Sequence, residues 1–146
     1  MTNIATERSA YPYFSQLTTR WMDNDIYGHV NNVVYYSYFD SVANKYLIEK
    51  GGLDIQNAQV IGFVVASSCE YKSPIAYPEK IEAGFRVNKL GNSSVEYGIA
   101  IFKKGAPAPS AVGTFTHVFV DRGTDSAVPI PSDIRQALEA VLVGEV

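Results

Sequence analysis

One helical pattern in the first third of the chain constrains the fold more than any other feature. From Asn32 to Lys50, apolar side chains recur at steps of three and four residues, which is the spacing of one face of a helix. The members of that face are Tyr35, Phe39, Val42, Tyr46 and Leu47. Asn31 or Asn32 can cap the start of the helix, and Gly51-Gly52 supplies its stop. A helix with so many aromatic residues is expected to pack against a sheet over much of its length.

Strand-like segments lie on both sides of this helix in the sequence. Tyr13 to Arg20 precedes it and is rich in aromatic and β-branched residues. Four more segments follow it, namely Gly62 to Tyr71, Lys80 to Asn88, Ser94 to Ile101 and Ala111 to Asp121. The second and third of these alternate apolar with polar residues, as half-buried antiparallel strands do. Gly91-Asn92 predicts a tight hairpin between them, and Ser132 can cap a short C-terminal helix.

The order of a strand, a helix and an antiparallel meander of four strands predicts an α+β fold. A single sheet of about five strands can bury one helix only by curling around it. The other face of the sheet must then be solvated or lie against a partner subunit. We expect one domain over residues 1–146, with a loose N-terminal arm that extends to about residue 11.

Composition argues against several classes of function. The net charge of −3 and the pI of about 5.3 do not provide the chain-wide basic surface that nucleic acid requires. No apolar run is long enough to cross a bilayer, and the first residues lack the pattern of a signal peptide. The single cysteine, Cys69, cannot form an intrachain disulfide, which favours a cytoplasmic location. Two histidines and one cysteine do not make a metal cluster.

The segment from Asp23 to Asn32 carries the residues best suited to chemistry. It places two acids in a turn, then Gly28-His29, then the asparagine pair that opens the helix. A helix N-terminus offers free backbone N–H groups and a partial positive charge. A carboxylate beside such a helix end is the combination that acyl-group hydrolysis needs. A calcium loop is rejected, because Tyr27 and Val34 stand where that loop needs an oxygen ligand and a glutamate.

The same segment contains the motif Asp23-x-Asp25-x-x-Gly28-His29-Val30-Asn31-Asn32-x-x-Tyr35. This motif resembles the hydroxybenzoyl-CoA thioesterase-like branch of the hotdog-fold superfamily. Leu90–Val95 is similar to the family's hairpin, and Tyr71–Ile75 to its Tyr-x-x-Pro element. The likeness spans approximately residues 13 to 121. It implies a curved antiparallel sheet around a long helix, homodimers or homotetramers with sites at the subunit interface, and hydrolysis of acyl-CoA thioesters without a metal or organic cofactor.

The resemblance also implies roles for three candidate catalytic residues. Asp25 corresponds to the family's catalytic carboxylate, and it could deprotonate a water or attack the thioester to give a mixed anhydride. The backbone N–H of Asn32 would receive the thioester carbonyl oxygen. His29 either holds substrate, water or the Asp25 loop, or only fixes the turn through its ring. A turn role alone is the alternative for Asp25 too, since aspartate favours turns.

Candidate substrate-binding residues are Gly28, Asn31, Val33, Tyr35, Lys89, Ser93 and Ser94. Asn31 either orients water or substrate or caps the helix, and Val33 would donate a second backbone N–H. By resemblance, the hairpin around Lys89 borders the CoA arm, although plain hairpin chemistry also explains its residues. Arg86, Lys103 and Lys104 could meet the phosphates.

Other polar residues have a structural explanation. Asp23 is expected to bond within the turn, Asp40 to lie at the surface or an interface, and His117 to lie in the core or an interface.

Taken with the resemblance, the sequence predicts a cytoplasmic acyl-CoA thioesterase with the hotdog fold. The alternatives are an acyl-carrier-protein thioesterase and a non-catalytic acyl-CoA-binding hotdog protein.

Overall fold

A curved five-stranded antiparallel sheet and two helices make up the computed structural model, which describes residues 4–143. The strands are β1 (Tyr13–Thr18), β2 (Val60–Tyr71), β3 (Lys80–Leu90), β4 (Ser94–Lys103) and β5 (Ala111–Asp121). The helices are α1 (Val34–Glu49) and α2 (Ser132–Glu139). Short 3₁₀ turns at Arg8–Ala10 and Trp21–Asp23 flank β1. The predicted α+β architecture is confirmed.

The strand order is β1-β3-β4-β5-β2, so the predicted meander of four consecutive strands is wrong in one respect. The strand β2 does not pair with β3 but crosses to the far edge and pairs with β5, with Tyr71 opposite Ala111. The connection of residues 72–79 contains Pro74 and Pro78. Prolines donate no main-chain N–H, so this segment cannot form the tight turn of a hairpin and crosses the end of the sheet instead.

The concave face of the sheet wraps around α1. The buried residues of α1 include all five predicted members of its apolar face together with Tyr38 and Ala43. Phe39 is fully buried and packs so closely on β5 that a Cβ added at Gly113 would lie 2.6 Å from its ring. The helix ends as predicted, since the Leu47 carbonyl accepts the N–H groups of Gly51 and Leu53. Burial of this face against the sheet forms the main apolar core of the protein.

The capping prediction for α2 is wrong. Ser132 is the first residue of the helix rather than its cap, and Pro131 precedes it with no side-chain hydrogen bond to the helix. The fixed φ of proline suits the entry to a helix, so a hydroxyl cap is not needed to start this one.

The N-terminal segment forms a second, smaller core on the outer face of the sheet, which corrects the expectation of a loose arm. Tyr11 is buried against Phe102 and Val112, and its hydroxyl donates to the Ala5 carbonyl at 2.6 Å. Arg8 forms an ion pair with Glu82 at 2.7 Å. Residues 1–3 of the expected arm lie outside the described residues. The outer face is therefore covered in part by the chain itself.

The strand β2 leaves an open edge in a single chain. Phe63, Val64 and Val65 on this strand are 60%, 40% and 53% exposed. An apolar edge of this kind offers unpaired main-chain groups to another strand. Neither helix within residues 4–143 is long and apolar enough to span a membrane.

His117 lies inside the sheet core, as predicted. The residue is 1% exposed, and its Nδ1 is 2.9 Å from the Tyr97 hydroxyl. The rings of Phe115 and Phe119 pack edge-on against it. Burial lowers the pKa of His117 to about 4, so the imidazole is neutral at pH 7.

Acid is expected to destabilise the protein through His117. The folded pKa of about 4 lies below the ordinary value of 6.5, so the unfolded chain binds more protons between these values and stability falls as the pH drops. From pH 6.5 to about 4.5, the free energy of unfolding should decrease by about 2 kcal/mol through this group. Urea unfolding at several pH values would measure the slope. In His117→Gln, which keeps an acceptor for Tyr97, the slope should be smaller; equal slopes would mean that another group takes up the proton.

Candidate active site

A tight turn over residues 24–30 positions Asp25 and His29. Asn24 and Val30 form a β-bridge, and the Asp25 N–H donates to the His29 carbonyl at 2.9 Å. Gly28 has a φ of +84°, and no atom lies within 4 Å of the place that a Cβ would take, so its constraint is the backbone conformation rather than space. Gly28, a predicted substrate-binding residue, therefore has a clear turn role.

The Asp25 carboxylate has one oxygen in the turn and one without a protein partner. Its Oδ1 accepts the Tyr27 N–H at 2.9 Å, which is an aspartate turn of the ordinary kind. Its Oδ2 makes no hydrogen bond to any residue among 4–143. The turn role and the catalytic role are thus compatible, because they use different oxygens.

Asp23 lies directly before the turn and anchors it through buried hydrogen bonds, so its predicted structural role is confirmed. It is 1% exposed and accepts hydrogen bonds from the Tyr38 hydroxyl at 2.7 Å, the Arg20 N–H at 2.9 Å and the Arg20 guanidinium. Burial raises the pKa of Asp23, but these hydrogen bonds and the Arg20 charge outweigh it and hold the pKa below its ordinary value. The Asp23 carbonyl in turn accepts the Asn31 N–H at 2.9 Å, which ties the anchor to the start of α1.

The start of α1 has one occupied and one unoccupied N–H group. Asn31 Oδ1 accepts the Val33 N–H at 3.1 Å, and the Asn31 carbonyl accepts the Val34 N–H at 2.9 Å. The Asn31 side chain therefore caps the turn that leads into α1. Within one chain it occupies the Val33 N–H that the sequence analysis assigned to substrate, and that assignment stays a prediction. The Asn32 N–H has no acceptor among the described residues. A donor of this kind at a helix start can receive a developing oxyanion.

A cleft of about 410 Å³ joins these groups. It is lined by Asp25, His29, Val30, Asn32, Tyr35, Tyr71, Lys72, Ser73 and Pro74. All three predicted catalytic residues and the predicted substrate residue Tyr35 lie in this set. No group of three or more His, Cys, Asp or Glu residues suited to a metal ion occurs in the part of the chain from 4 to 143.

The segment Tyr71–Pro74 forms the second wall of the cleft, and sequence reasoning did not assign it to the site. Its Tyr-x-x-Pro pattern was the available signal, but the sequence does not show that β2 ends beside the start of α1. The ring of Tyr71 packs edge-on against Tyr35 at 5.1 Å. Burial raises the pKa of Tyr35 to about 12, so its hydroxyl stays protonated at neutral pH. Lys72 forms an ion pair with Glu70 at 3.2 Å at the rim.

Hydrogen bonds from two main-chain N–H groups hold the two walls together. The Val30 N–H donates to the Ile75 carbonyl at 2.7 Å, and the Tyr77 N–H donates to Asn24 Oδ1 at 3.1 Å. These bonds connect the turn that carries Asp25 to the segment that follows β2. The spacing of the two walls is consequently held by one backbone–backbone bond and by the side chain of Asn24.

A single chain does not bring the predicted hairpin residues to this cleft. Lys89, Ser93 and Ser94 lie at the opposite end of the sheet, because the cleft adjoins the end of β4 near Ile101. From Ser94 to Ile101 the strand covers about 23 Å at ~3.3 Å per residue. These three assignments stay predictions.

Other candidates have partners of their own. Arg86 binds the Ala10 carbonyl and Asn88 on the outer face, and Lys103 lies 4.0 Å from Glu79. Asp40 is exposed on α1 and accepts a hydrogen bond from Asn44 at 3.0 Å.

Comparison with known sequence families shows which superfamily this chain belongs to. The sequence model described as the thioesterase-like superfamily matches residues 19–138. The chain belongs to this superfamily. The PA5185 protein of Pseudomonas aeruginosa strain PAO1 is 53% identical over 96% of this chain and 98% of its own, with a TM-score of 0.94.

A solved structure of lower identity shares the fold, and a curated sequence matches part of the chain. The DHNA-CoA thioesterase of Staphylococcus aureus is 21% identical over 88% of this chain and 89% of its own, with a TM-score of 0.78. The curated YsmA protein of Bacillus subtilis strain 168 is 25% identical over 88 residues, which are 60% of this chain and 59% of YsmA. This match thus spans less than two thirds of that relative. The sheet wrapped around α1 is the hotdog arrangement of the superfamily, as the sequence motif predicts.

Proposed function

We propose that this protein hydrolyses acyl-CoA thioesters to a free acid and CoA. The observation that carries the proposal is the shared cleft: Asp25 and Asn32 both line it, and the Asp25 Oδ2 atom and the Asn32 N–H lack partners among the described residues. A carboxylate and an N–H donor at a helix start supply the two functions that acyl transfer to water requires. Membership of the thioesterase-like superfamily supports this reaction class.

In the first of two routes, Asp25 acts as a general base. Its carboxylate takes a proton from water, and the resulting hydroxide adds to the thioester carbon. The carbonyl oxygen becomes an oxyanion that the Asn32 N–H and the partial positive charge of α1 stabilise. The C–S bond then breaks, and the CoA thiolate leaves and takes up the proton that Asp25 received from water, which restores the carboxylate.

In the second route, Asp25 is the nucleophile. Its carboxylate oxygen attacks the thioester carbon, CoA leaves as thiolate, and a mixed anhydride forms between the acyl group and Asp25. Water then cleaves the anhydride to give the free acid and restore the carboxylate. Both routes use the same oxyanion donor and need no metal or organic cofactor.

Assembly of two or four copies is part of the proposal. The open apolar edge of β2 would be covered in a homodimer by the same edge of a second copy. Lys89, Ser93 and Ser94 would then border a cleft from the second subunit, since within one chain they lie at the far end of the sheet.

Release of free thiol from a panel of short, medium, long and aromatic acyl-CoAs tests the function. We expect turnover on at least one class and a ranking of acyl groups across the panel. The same acyl groups on an acyl-carrier protein form the comparison arm. Turnover only on the carrier protein would replace the CoA proposal with a carrier-protein thioesterase. Binding of acyl-CoA without turnover on any ester would make the protein a non-catalytic binder.

A further inference from the structure

We infer that Tyr71 is a positioning residue for the oxyanion donor. This inference rests on the proposed function and assigns a task to a residue on the second wall of the cleft. Tyr71 is the last residue of β2, and its hydroxyl donates to the Asn32 carbonyl at 2.9 Å. The donor and the acceptor lie 39 positions apart in sequence, so this bond fastens the edge of the sheet to the start of α1.

The peptide group between Asn32 and Val33 is held at both ends. Tyr71 binds its carbonyl oxygen, and Asn31 Oδ1 binds its N–H at 3.1 Å. A peptide group is planar, so two hydrogen bonds on opposite sides fix its rotation about the chain. The orientation of this group is therefore determined by two side chains that come from different elements.

The preceding peptide group carries the proposed oxyanion donor, and it is held on one side only. Its carbonyl, from Asn31, accepts the Val34 N–H at 2.9 Å, while its N–H, from Asn32, has no acceptor among residues 4–143. The two peptide groups meet at the Asn32 Cα. A change in the direction of one group consequently rotates the other, and hydrogen bonds weaken steeply as their angle falls toward ~120°.

The ring of Tyr71 is also well placed to hold its hydroxyl steady. It packs edge-on against the buried Tyr35 at 5.1 Å, while Tyr71 itself is 46% exposed. Burial is the largest cause that raises the pKa of Tyr71, so its hydroxyl keeps its proton and remains a donor at neutral pH. The Tyr71 hydroxyl contacts the backbone of Asn32. Tyr71 therefore acts on the reaction only by orienting Asn32 and its N–H group.

Tyr71→Phe is the test, because it removes the hydroxyl and keeps the ring against Tyr35. Removal of one oxyanion donor typically lowers kcat by about 10²–10³, and loss of alignment should account for part of that. We call the hydrogen bond from Tyr71 to the Asn32 carbonyl the clamp. We expect kcat to fall about tenfold with KM within about twofold, since the clamp acts on the transition state more than on substrate binding.

Tyr46→Phe is the matched control. Tyr46 also donates from its hydroxyl to a backbone carbonyl, that of Ala137, at 2.6 Å. It lies near the other end of α1, about 20 Å from Asn32 at ~1.5 Å per residue. Its loss should lower stability and leave kcat unchanged. Equal losses of kcat in the two variants would overturn the inference, because they would reflect general destabilisation.

A second measurement does not depend on activity. Exchange of the Val33 amide hydrogen, followed by NMR, should become several-fold faster in Tyr71→Phe and stay unchanged in Tyr46→Phe. Unchanged exchange in both variants would overturn the clamp. Normal kcat in Tyr71→Phe, with a strong loss in Asp25→Asn, would overturn the inference while the proposed function stands. Absence of turnover in the wild type on every thioester would remove the proposed function and this assignment with it, even if exchange shows the clamp.

Discussion

Asp25→Asn is expected to lower kcat for thioester hydrolysis by about 10²–10⁴ with little change in stability. Asparagine keeps the side-chain oxygen that accepts the Tyr27 N–H, so the turn over residues 24–30 should persist. The amide can neither take a proton from water nor attack the thioester. The loss should therefore appear in both mechanistic routes, and thiol release under saturating acyl-CoA measures it.

The matched control is Asp40→Asn, the same chemical change on an exposed acid of α1. The pair of variants therefore separates a catalytic acid in the turn from one on the helix. We expect kcat within about twofold of the wild type in this control, as for most surface substitutions. Activity that survives in Asp25→Asn and collapses in Asp40→Asn would move the catalytic acid to the helix.

Asp23→Asn is expected to lower the free energy of unfolding by about 3 kcal/mol. The variant loses the negative charge that strengthens the hydrogen bonds from Tyr38 and Arg20, each of which contributes about 1.5–3 kcal/mol while the acceptor is charged. Arg20 is well exposed and regains water, so the loss stays below the sum of these terms. Urea unfolding at pH 7 measures the difference.

The pH dependence of that difference has a definite sign. The folded pKa of Asp23 lies below its ordinary value of 3.8, so the stabilisation is complete above that pH and is lost as the pH falls through the folded pKa. The gap between wild type and Asp23→Asn should therefore narrow in strong acid. Tyr38→Phe, which removes one donor and keeps the carboxylate, should lose about 1.5 kcal/mol. A loss in Tyr38→Phe as large as that in Asp23→Asn would show that the Arg20 contacts contribute nothing.

The fold could be predicted from the sequence where the pattern is local. The apolar face of α1 and its glycine stop follow from spacing and backbone chemistry, and all five predicted face residues are buried. The position of β2 could not be predicted, because alternation identifies a strand but not its neighbour in the sheet. The burial of Tyr11 was missed for a related reason: its partners Phe102 and Val112 lie far away in the sequence.

For the candidate site too, residues that are close in the sequence could be grouped in advance, and a residue from a distant strand could not. Asp25, His29 and Asn32 lie within eight residues of one another, so a turn and a helix start were enough to group them. Tyr71 reaches the site only because β2 crosses to the far edge and ends beside α1. The partner of the Val33 N–H could not be predicted, since a sequence shows that Asn31 can cap a helix but not which N–H it occupies.

Because a backbone hydrogen bond joins the two walls of the cleft, the side chains that line it can vary during evolution. The bond from the Val30 N–H to the Ile75 carbonyl does not depend on the identity of either side chain. Lys72 and Ser73 line the cleft and are exposed, so replacing their side chains would change the lining of the cleft without removing this bond. Under the proposed function, we expect substitutions at these two positions to change the preference among acyl groups while the turn that carries Asp25 keeps its geometry.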